Sequence, residues 1–455
     1  MADGPQVVIL AAGQGTRMRS ATPKVLHALG GRPLIDHVLD LAAAVGVRRP
    51  TVVVSPSQPA VAEHVAGRAD IAEQQAPHGT GDAVRSVPEE HRQSGPVLVL
   101  SADVPLVRPQ TVRRMLDAHQ AARPAATLLT VVPEDPTGMG RVVRGDLDTV
   151  LSIVEERDIP AGATAPAECN AGVYVFEGSK LWAALEGLSS DNAQSELYLT
   201  DVVERFGGDS IAVLAAEAAE GLGINDRRQL AAAEAELRRR TLDTLMASGV
   251  TIEDPATTFI DASVRIGADS RILPMSVLRG GTRLGAGCVV GPMSQLRDVG
   301  GGDRVSIGSS QLEECELGDD VVIGAYCRVR PNSVLGSGVQ LGTHAEVKNS
   351  RVGDATRISH FSCILDSDVG RDTNIGAGTV TCNYDGTAKY RTTIGDRVFV
   401  GTNTTLVAPV DIGDDAYIGA GSFVNADVPP GALAIGRARQ RNIEGWTARH
   451  RADSA

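Results

Sequence analysis

Two stretches of this 455-residue chain carry residue types suited to handling charged small molecules. The first follows a short apolar run, Val7–Leu10, and reads Ala11-Ala12-Gly13-Gln14-Gly15-Thr16-Arg17-Met18. Small residues after a strand let backbone N–H groups approach a polyphosphate closely, and Arg17 adds positive charge. No Gly-Lys-Ser/Thr follows, so this is not a Walker loop, and the third glycine of a dinucleotide fingerprint is missing. Glycines alone would equally suit an ordinary strand-to-helix turn; Arg17 and the following Pro23-Lys24 favour the phosphate reading. The second stretch holds Arg330, Lys348, His360, Asn374 and Lys389. A histidine there suits either a structural contact or a base that titrates near neutrality. His344, His360 and His450 are the only histidines past residue 250, too few for a three-histidine zinc site.

The elements that must carry these residues differ between the two halves. From Val7 to about Gly223, the runs Val7–Leu10, Thr51–Val54, Pro96–Leu100, Thr127–Val132 and Gly172–Phe176 read as strands. Between them, Leu34–Val45 and Val112–Ala122 have helical apolar spacing, so the alternation predicts a mainly parallel sheet with helices on both faces. Ligands of such α/β sheets bind beyond the carboxyl ends of the strands. Asn225 or Asp226 is placed to cap a helix through Leu230, Leu237, Leu242 and Leu245 that ends near Gly249. Beyond residue 250 an aliphatic residue recurs every six positions: Ile266, Ile272, Leu278, Leu284 and Val290, then Leu317 to Val347, then Ile394 to Val424. One inward residue per short strand, with three strands per turn, predicts a parallel β-helix. The domains expected are residues 1–225, a linker helix over 226–250, and 251–455.

Composition narrows the classes. The 43 Lys and Arg against 56 Asp and Glu leave a net charge of −13, and no long basic stripe is present, which argues against nucleic acid. Fifty glycines and only 3% aromatic residues suit tight turns and small aliphatic cores. The start, Met-Ala-Asp-Gly-Pro, lacks the basic and apolar regions of a secretory signal, and no run nears the roughly 18 apolar residues of a membrane span. Six scattered cysteines without CxxC spacing read as reduced thiols. These features lead us to expect a cytoplasmic protein without membrane insertion.

Leu10-Ala-Ala-Gly-Gln-Gly-Thr-Arg-Met18 with Pro23-Lys24-Val-Leu-His27 resembles the signature of sugar-1-phosphate nucleotidyltransferases. Together with the hexapeptide half, it is similar over essentially the whole chain to the bifunctional N-acetylglucosamine-1-phosphate uridylyltransferase and glucosamine-1-phosphate N-acetyltransferase family. The resemblance implies an α/β fold: a Rossmann-like nucleotidyltransferase domain, a long linker helix, and a left-handed parallel β-helix. It also implies a homotrimer, Mg²⁺, and UTP and acetyl-coenzyme A as co-substrates. The expected product, UDP-N-acetylglucosamine, would feed envelope synthesis. By the same match, Leu10, Ala11, Ala12, Gly13, Lys24, Ser101, Ala102 and Asp103 bind the UDP-sugar. Gln74, Gly79 and Thr80 take the uracil, Gly140, Glu155 and Asn170 the sugar, and Asp103 and Asn225 the metal. By residue type alone, Asp103 equally suits a cap or turn, and Glu155 a solvated charge. Arg17 and Lys24 would neutralise phosphate charge.

In the second half the resemblance assigns Arg330, Lys348, Cys363 and Asn374 to glucosamine 1-phosphate. Ala377, Asn383, Tyr384, Thr402, Ala420 and Arg437 are assigned to acetyl-coenzyme A. His360 is the implied base that takes the amine's proton so that nitrogen attacks the thioester directly. Departures from the family pattern are Ala102 for glycine, His78 for leucine, Asp82 for histidine and Ala171 for threonine. A heavier one is Cys363 for tyrosine, which removes a hydroxyl from the sugar-phosphate contact. It motivates an alternative: a uridylyltransferase whose β-helix only assembles the trimer. A non-catalytic sugar-nucleotide sensor is a second alternative, opposed by the presence of both candidate metal residues.

Overall fold

The computed structural model describes residues 4–160 and 163–452. The chain divides into two compact units, one running to Leu237 and the other starting at Arg238. In the first unit the apolar runs form the strands Gln6–Leu10, Thr51–Val54, Pro96–Ser101, Ala126–Val131 and Cys169–Glu177 of one nine-stranded sheet. Gln6–Leu10 lies between Thr51–Val54 and Pro96–Ser101, parallel to both. Alternate residues of these strands point to opposite faces, which explains the unbroken apolar runs. Ile9, Val52 and Leu98 join a core with Ile35 and Met115 of the helices Leu34–Ala44 and Pro109–Ala122. Val8, Val53 and Val99 join the opposite core with Val84, Leu181 and Val202.

The sheet is mixed rather than wholly parallel. Cys169–Glu177 runs antiparallel to both Pro96–Ser101 and Ala126–Val131. Between Ala126–Val131 and Cys169–Glu177 the chain makes the antiparallel pair Arg141–Arg144 and Val150–Val154 and, among the described residues, no α-helix. A return without a crossover brings the next strand back in the opposite sense.

The helix Arg227–Ala247 is capped by Asp226, whose Oδ1 accepts the N–H groups of Arg228 and Gln229 at 2.9 Å each. Its first turns place Leu230, Ala233 and Leu237 against Leu29, Leu34, Leu106 and Ile224. Its last turns supply Leu242 and Leu245 to the core of the second unit.

That second core is one continuous column holding the six-residue aliphatic series from Ile266 to Val424. Strands of mostly two or three residues stack in parallel, with Leu341 on Ile358, Ile358 on Ile375, Ile375 on Val400 and Val400 on Ile418. Buried hydroxyls complete the backbone bonding: Ser350, Thr356 and Thr373 accept N–H groups of Ser367, Thr373 and Val398 from the next coil at 2.9–3.1 Å. The coil between Ile375 and Val400 is lengthened by an exposed hairpin. Tyr384 and Lys389 bridge it, and Asp385 Oδ1 turns it by accepting the N–H groups of Thr387 and Ala388 at 2.7 Å.

Because each coil contacts only its neighbours, damage should stay local. Ile364, fully buried against Val347, is expected to cost about 2–5 kcal/mol when cut to alanine. Amide hydrogen exchange of Ile364→Ala should rise in peptides containing residues 345–382 and stay unchanged several coils away. A uniform rise along the β-helix would contradict this stacking account.

Candidate functional site

In the first unit, Leu10, Ser101 and Gln74 mark the carboxyl ends of three strands, and beyond them opens a cleft of about 540 Å³. Gly13, Arg17, Lys24, Gly79, Thr80, Asp103 and Asn225 also line it. A second hollow of about 240 Å³ shares Leu10, Thr80, Ser101, Asp103 and Asn225 with the first, so the two are continuous. Gly140, Glu155 and Asn170 line the second hollow. Two expected residues line neither. Ala11 N–H bonds the Val53 carbonyl at 2.8 Å and Ala102 N–H the Leu10 carbonyl at 3.0 Å, so both prolong the sheet's bonding.

Lys24 is the centre of the cleft floor. Its side chain is nearly buried, and its Nζ donates to Asp103 Oδ2 and, at 3.0 Å, to Asn225 Oδ1. Thus the carboxylate and the amide oxygen expected to share a metal converge on one cation position. The positioning is explicit in the backbone. Ile224 N–H bonds the Asp103 carbonyl at 2.9 Å, and Asn225 N–H bonds Gln229 Oε1 at 2.8 Å. Gly15 turns with φ of +61°, and a Cβ on it would stand 2.5 Å from Lys24 Cβ. Only glycine therefore lets the loop close over the lysine.

Gln74 lines the cleft beside Gly79 and Thr80. Its Nε2 donates to the Gly79 carbonyl and to Asp82 Oδ2, both at 3.0 Å. Thr80 Oγ1 accepts the Leu199 N–H at 3.0 Å. At the other end, Gly140 is kept free of a side chain by Ile153, whose Cγ2 would be 2.9 Å from an added Cβ. Asn170 Nδ2 donates to the Tyr174 hydroxyl at 2.6 Å, and its Oδ1 accepts the Gly172 N–H at 3.1 Å. Glu155 accepts from Thr200 Oγ1 at 3.1 Å. Burial pushes the Glu155 carboxyl above the usual range; the Thr200 bond opposes this and the charges of Asp201, Asp158 and Glu196 add to it. Gly15, Arg157, Glu196, Thr200 and Tyr174 also line the cleft but were not singled out. Gly15 lies inside the loop motif, Arg157 and Tyr174 lie close in sequence to Glu155 and Asn170 without a motif of their own, and Glu196 and Thr200 become neighbours only on folding.

In the second unit the expected residues fall on two faces of the coil stack. Along one corner, the N–H of the following residue bonds the equivalent carbonyl one coil earlier: Phe361 to Thr343, Gly378 to His360, Asn403 to Ala377 and Gly421 to Thr402. Thr343, His360, Ala377, Thr402 and Ala420 therefore occupy successive levels of one column. His360 is exposed, and its Nδ1 accepts the Thr343 N–H at 3.0 Å, with the Thr343 hydroxyl at 3.1 Å. That bond puts the proton of the neutral ring on Nε2. Asn374 stacks between Arg357 and Phe399 on the adjoining strand column. Tyr384 is on the exposed hairpin, its hydroxyl bonded to the Gly386 carbonyl at 2.6 Å, and Arg437 is exposed in the last coil.

The other face is cationic. The Lys348 ammonium is pushed below its usual range by Lys389, with burial and Arg330 adding. Arg330 bonds Glu346 at 3.0 Å. Asn383 does not point free: it donates to Asp366, which burial alone would raise but which Asn349, Asn383, Lys348 and Lys389 hold below the usual carboxylate range. Cys363 stands between Glu346 and Val380, and burial with the Glu346 charge pushes its thiol up, away from thiolate chemistry. Lys389, Asp366 and Glu346 complete this face beyond the residues assigned to it.

Comparison with known proteins bears on both units. Residues 7–200 match the MobA-like NTP transferase domain, and residues 314–349 and 391–426 match the bacterial transferase hexapeptide (six repeats). Proteins named "Bifunctional protein GlmU" from Mycobacterium tuberculosis and Mycobacterium bovis are each 43% identical over 98% of this chain and 93% of their own length. One from Mycobacterium sp. (strain KMS) is 44% identical over 99% of this chain and 92% of its own length.

The buried acid in the cleft should be visible in stability. A carboxyl raised by folding is protonated more readily in the native state, so stability is lost as pH rises through its native pKa. Glu155→Gln keeps an acceptor for Thr200 and removes that loss. Its melting temperature should exceed that of the parent at pH 7, and the gain should vanish below about pH 4, where an ordinary carboxyl protonates. A gain independent of pH would exclude the carboxylate as its cause.

Proposed function

The chain belongs to the family of bifunctional GlmU proteins, and from that premise we propose how its own residues divide the two transfers. The enzyme makes UDP-N-acetylglucosamine: acetyl-coenzyme A first acetylates glucosamine 1-phosphate, and UTP then uridylylates the product with release of pyrophosphate. The observation that carries the assignment of residues is the single cation position shared by Asp103 and Asn225 under the Gly13–Arg17 loop.

For uridylyl transfer, the sugar phosphate oxygen attacks the α-phosphorus of UTP in line, and pyrophosphate leaves. Both are already ionised, so the residues position and neutralise rather than move protons. Gln74, Gly79 and Thr80 hold the base; Arg17 and Lys24 meet the phosphates; Gly140, Glu155 and Asn170 orient the sugar. Two hard oxygens, Asp103 Oδ and Asn225 Oδ1, fit Mg²⁺, which takes few protein ligands and fills its shell with phosphate and water. Among the described residues no group of three or more His, Cys, Asp or Glu is arranged for a metal. When bound, Mg²⁺ would neutralise charge developing on the phosphates.

For acetyl transfer, Lys348, Arg330 and Lys389 form the cationic face for the sugar phosphate, and Ala377, Thr402, Ala420, Tyr384 and Arg437 carry acetyl-coenzyme A. His360 takes the amine's proton as nitrogen bonds the thioester carbonyl carbon, and the C–S bond breaks to release coenzyme A. The His360 ring must first turn away from the Thr343 N–H, because Nδ1 is engaged there and Nε2 carries the proton. Cys363 favours a second reading: without the tyrosine hydroxyl, the β-helix serves assembly alone. We also propose a homotrimer, consistent with the exposed Phe399–Tyr417 and His344–Phe361 stacks. No described helix is long and apolar enough to cross a membrane. The cytoplasm is the compartment proposed for its six free thiols.

Pyrophosphate release with UTP and Mg²⁺ separates the readings. Glucosamine 1-phosphate should react only when acetyl-coenzyme A is added, and N-acetylglucosamine 1-phosphate without it. Reaction of the acetylated sugar alone supports the second reading, and silence with both sugars removes the assignment of the cleft.

A separate measurement addresses the metal position. Lys24 Nζ lies between the two oxygens that would hold the metal, so the ammonium and a divalent ion compete. Lys24→Met should bind Mn²⁺ at least about fivefold more tightly than the parent without nucleotide, read by loss of the free-ion EPR signal. Adding Asp103→Asn should remove the gain. Equal Mn²⁺ affinity in Lys24→Met and the parent would refute the shared position.

A further inference from the structure

Asp82 has no place in the roles assigned above. It does not line the cleft. It lies instead behind Gln74, on the short helix Thr80–Arg85, with a side chain that is 14% exposed. Its Oδ2 accepts one proton of the Gln74 amide at 3.0 Å, and the Gly79 carbonyl accepts from the same nitrogen at 3.0 Å. Its Oδ1 is held by Arg85 at 2.7 Å.

An ionised carboxylate accepts hydrogen bonds and donates none. A terminal amide can otherwise present either its oxygen or its nitrogen by turning over. With both Nε2 protons committed to acceptors, Gln74 has only its carbonyl oxygen to offer the cleft. The edge of a pyrimidine is read by that choice. Uracil carries a proton on N3 and matches an acceptor; cytosine has a bare N3 and meets an acceptor with repulsion. A mismatch of this kind is costly because both buried groups are left unpaired. The Gly79 carbonyl cannot be varied by substitution, and its backbone is fixed by φ of +102° and by Leu197, whose carbonyl would lie 2.6 Å from an added Cβ. Asp82 is therefore the variable half of the lock.

We propose that Asp82 is a positioning residue for pyrimidine selection, fixing the Gln74 amide so that the cleft accepts a base with a proton on N3. This rests on the reading of the cleft as the nucleotide site. Asp82 touches no substrate and acts only through Gln74.

The test compares kcat/KM for UTP, CTP and 5-methyl-UTP in the full-length protein, with N-acetylglucosamine 1-phosphate and Mg²⁺. The isosteric Asp82→Asn can offer Gln74 a donor as readily as an acceptor. It should lower the UTP-to-CTP preference about tenfold, the factor expected for one such bond, while Gly79 retains part of the discrimination. The UTP-to-5-methyl-UTP ratio should not move, because both bases carry the N3 proton. Arg85→Gln breaks the ion pair but leaves the acceptor, so it should keep the UTP-to-CTP preference. An unchanged UTP-to-CTP ratio in Asp82→Asn overturns the proposal, as does an equal loss in Arg85→Gln. Equal losses for UTP, CTP and 5-methyl-UTP would assign Asp82 a structural role and overturn it too. Failure of the parent protein to use UTP would instead remove the reading of the cleft itself.

Discussion

The first unit is organised around one buried ammonium. Lys24 reaches Asp103 and Asn225, residues 79 and 201 positions away in the chain. A nearly buried cation requires close oxygen partners, since an uncompensated charge inside a protein is strongly destabilising. That requirement joins three segments: the loop after the first strand, the end of the strand Pro96–Ser101, and the entry to the helix Arg227–Ala247. The apolar cluster beneath it uses the same three segments, with Leu29 following Lys24, Leu106 following Asp103, and Ile224 preceding Asn225. Packing and polar contact thus enforce the same closure. A cation position is a by-product of folding here, because the oxygens that hold the ammonium are the ones the closure brings together.

The second unit reaches its candidate site by the opposite route. Thr343, His360, Ala377, Thr402 and Ala420 are neighbours because the chain repeats, each one coil from the next. Periodicity sets the spacing, and no long-range closure is needed. What breaks the repeat is informative: the exposed hairpin carrying Tyr384 and Lys389 leaves the column at one level and sends Lys389 towards Lys348. A rigid solenoid with one protruding loop can hold a flat cationic face and an exposed column at once.

These two routes explain what the amino-acid sequence makes legible. Strands buried on both faces announce themselves as apolar runs, so Thr51–Val54 is read to its ends. The edge strand Asp70–Glu73 alternates and buries only one of its residues fully, and Arg141–Arg144 is charged at both ends, so neither stands out; Val150–Val154 is largely apolar but pairs with that charged strand. The antiparallel sense of Cys169–Glu177 depends on that unread pair. In the β-helix every inward residue from Ile266 to Val424 in the six-residue series is buried, because period and packing are the same fact there. Site residues within motifs, such as Gly13 and Lys24, could be named early. Thr200 could not, since Glu155, 45 residues away, meets it only through the fold.

Departures from a family pattern are best weighed by whether the new side chain acquires a partner. Asp82 does: it bonds Gln74 and Arg85 and alters what a neighbour presents to the cleft. Ala102 acquires packing, being fully buried while its N–H continues the sheet. Cys363 acquires neither a hydroxyl's bonding nor a charge, and its thiol stays protonated beside Glu346. The face beside it nevertheless keeps Arg330, Lys348 and Lys389, and their repulsion is already felt in the lowered Lys348. Three crowded cations gain most from a bound dianion, because it relieves repulsion as well as forming new bonds. The attraction of this face for an anion therefore does not depend on residue 363, whose thiol adds no charge to it.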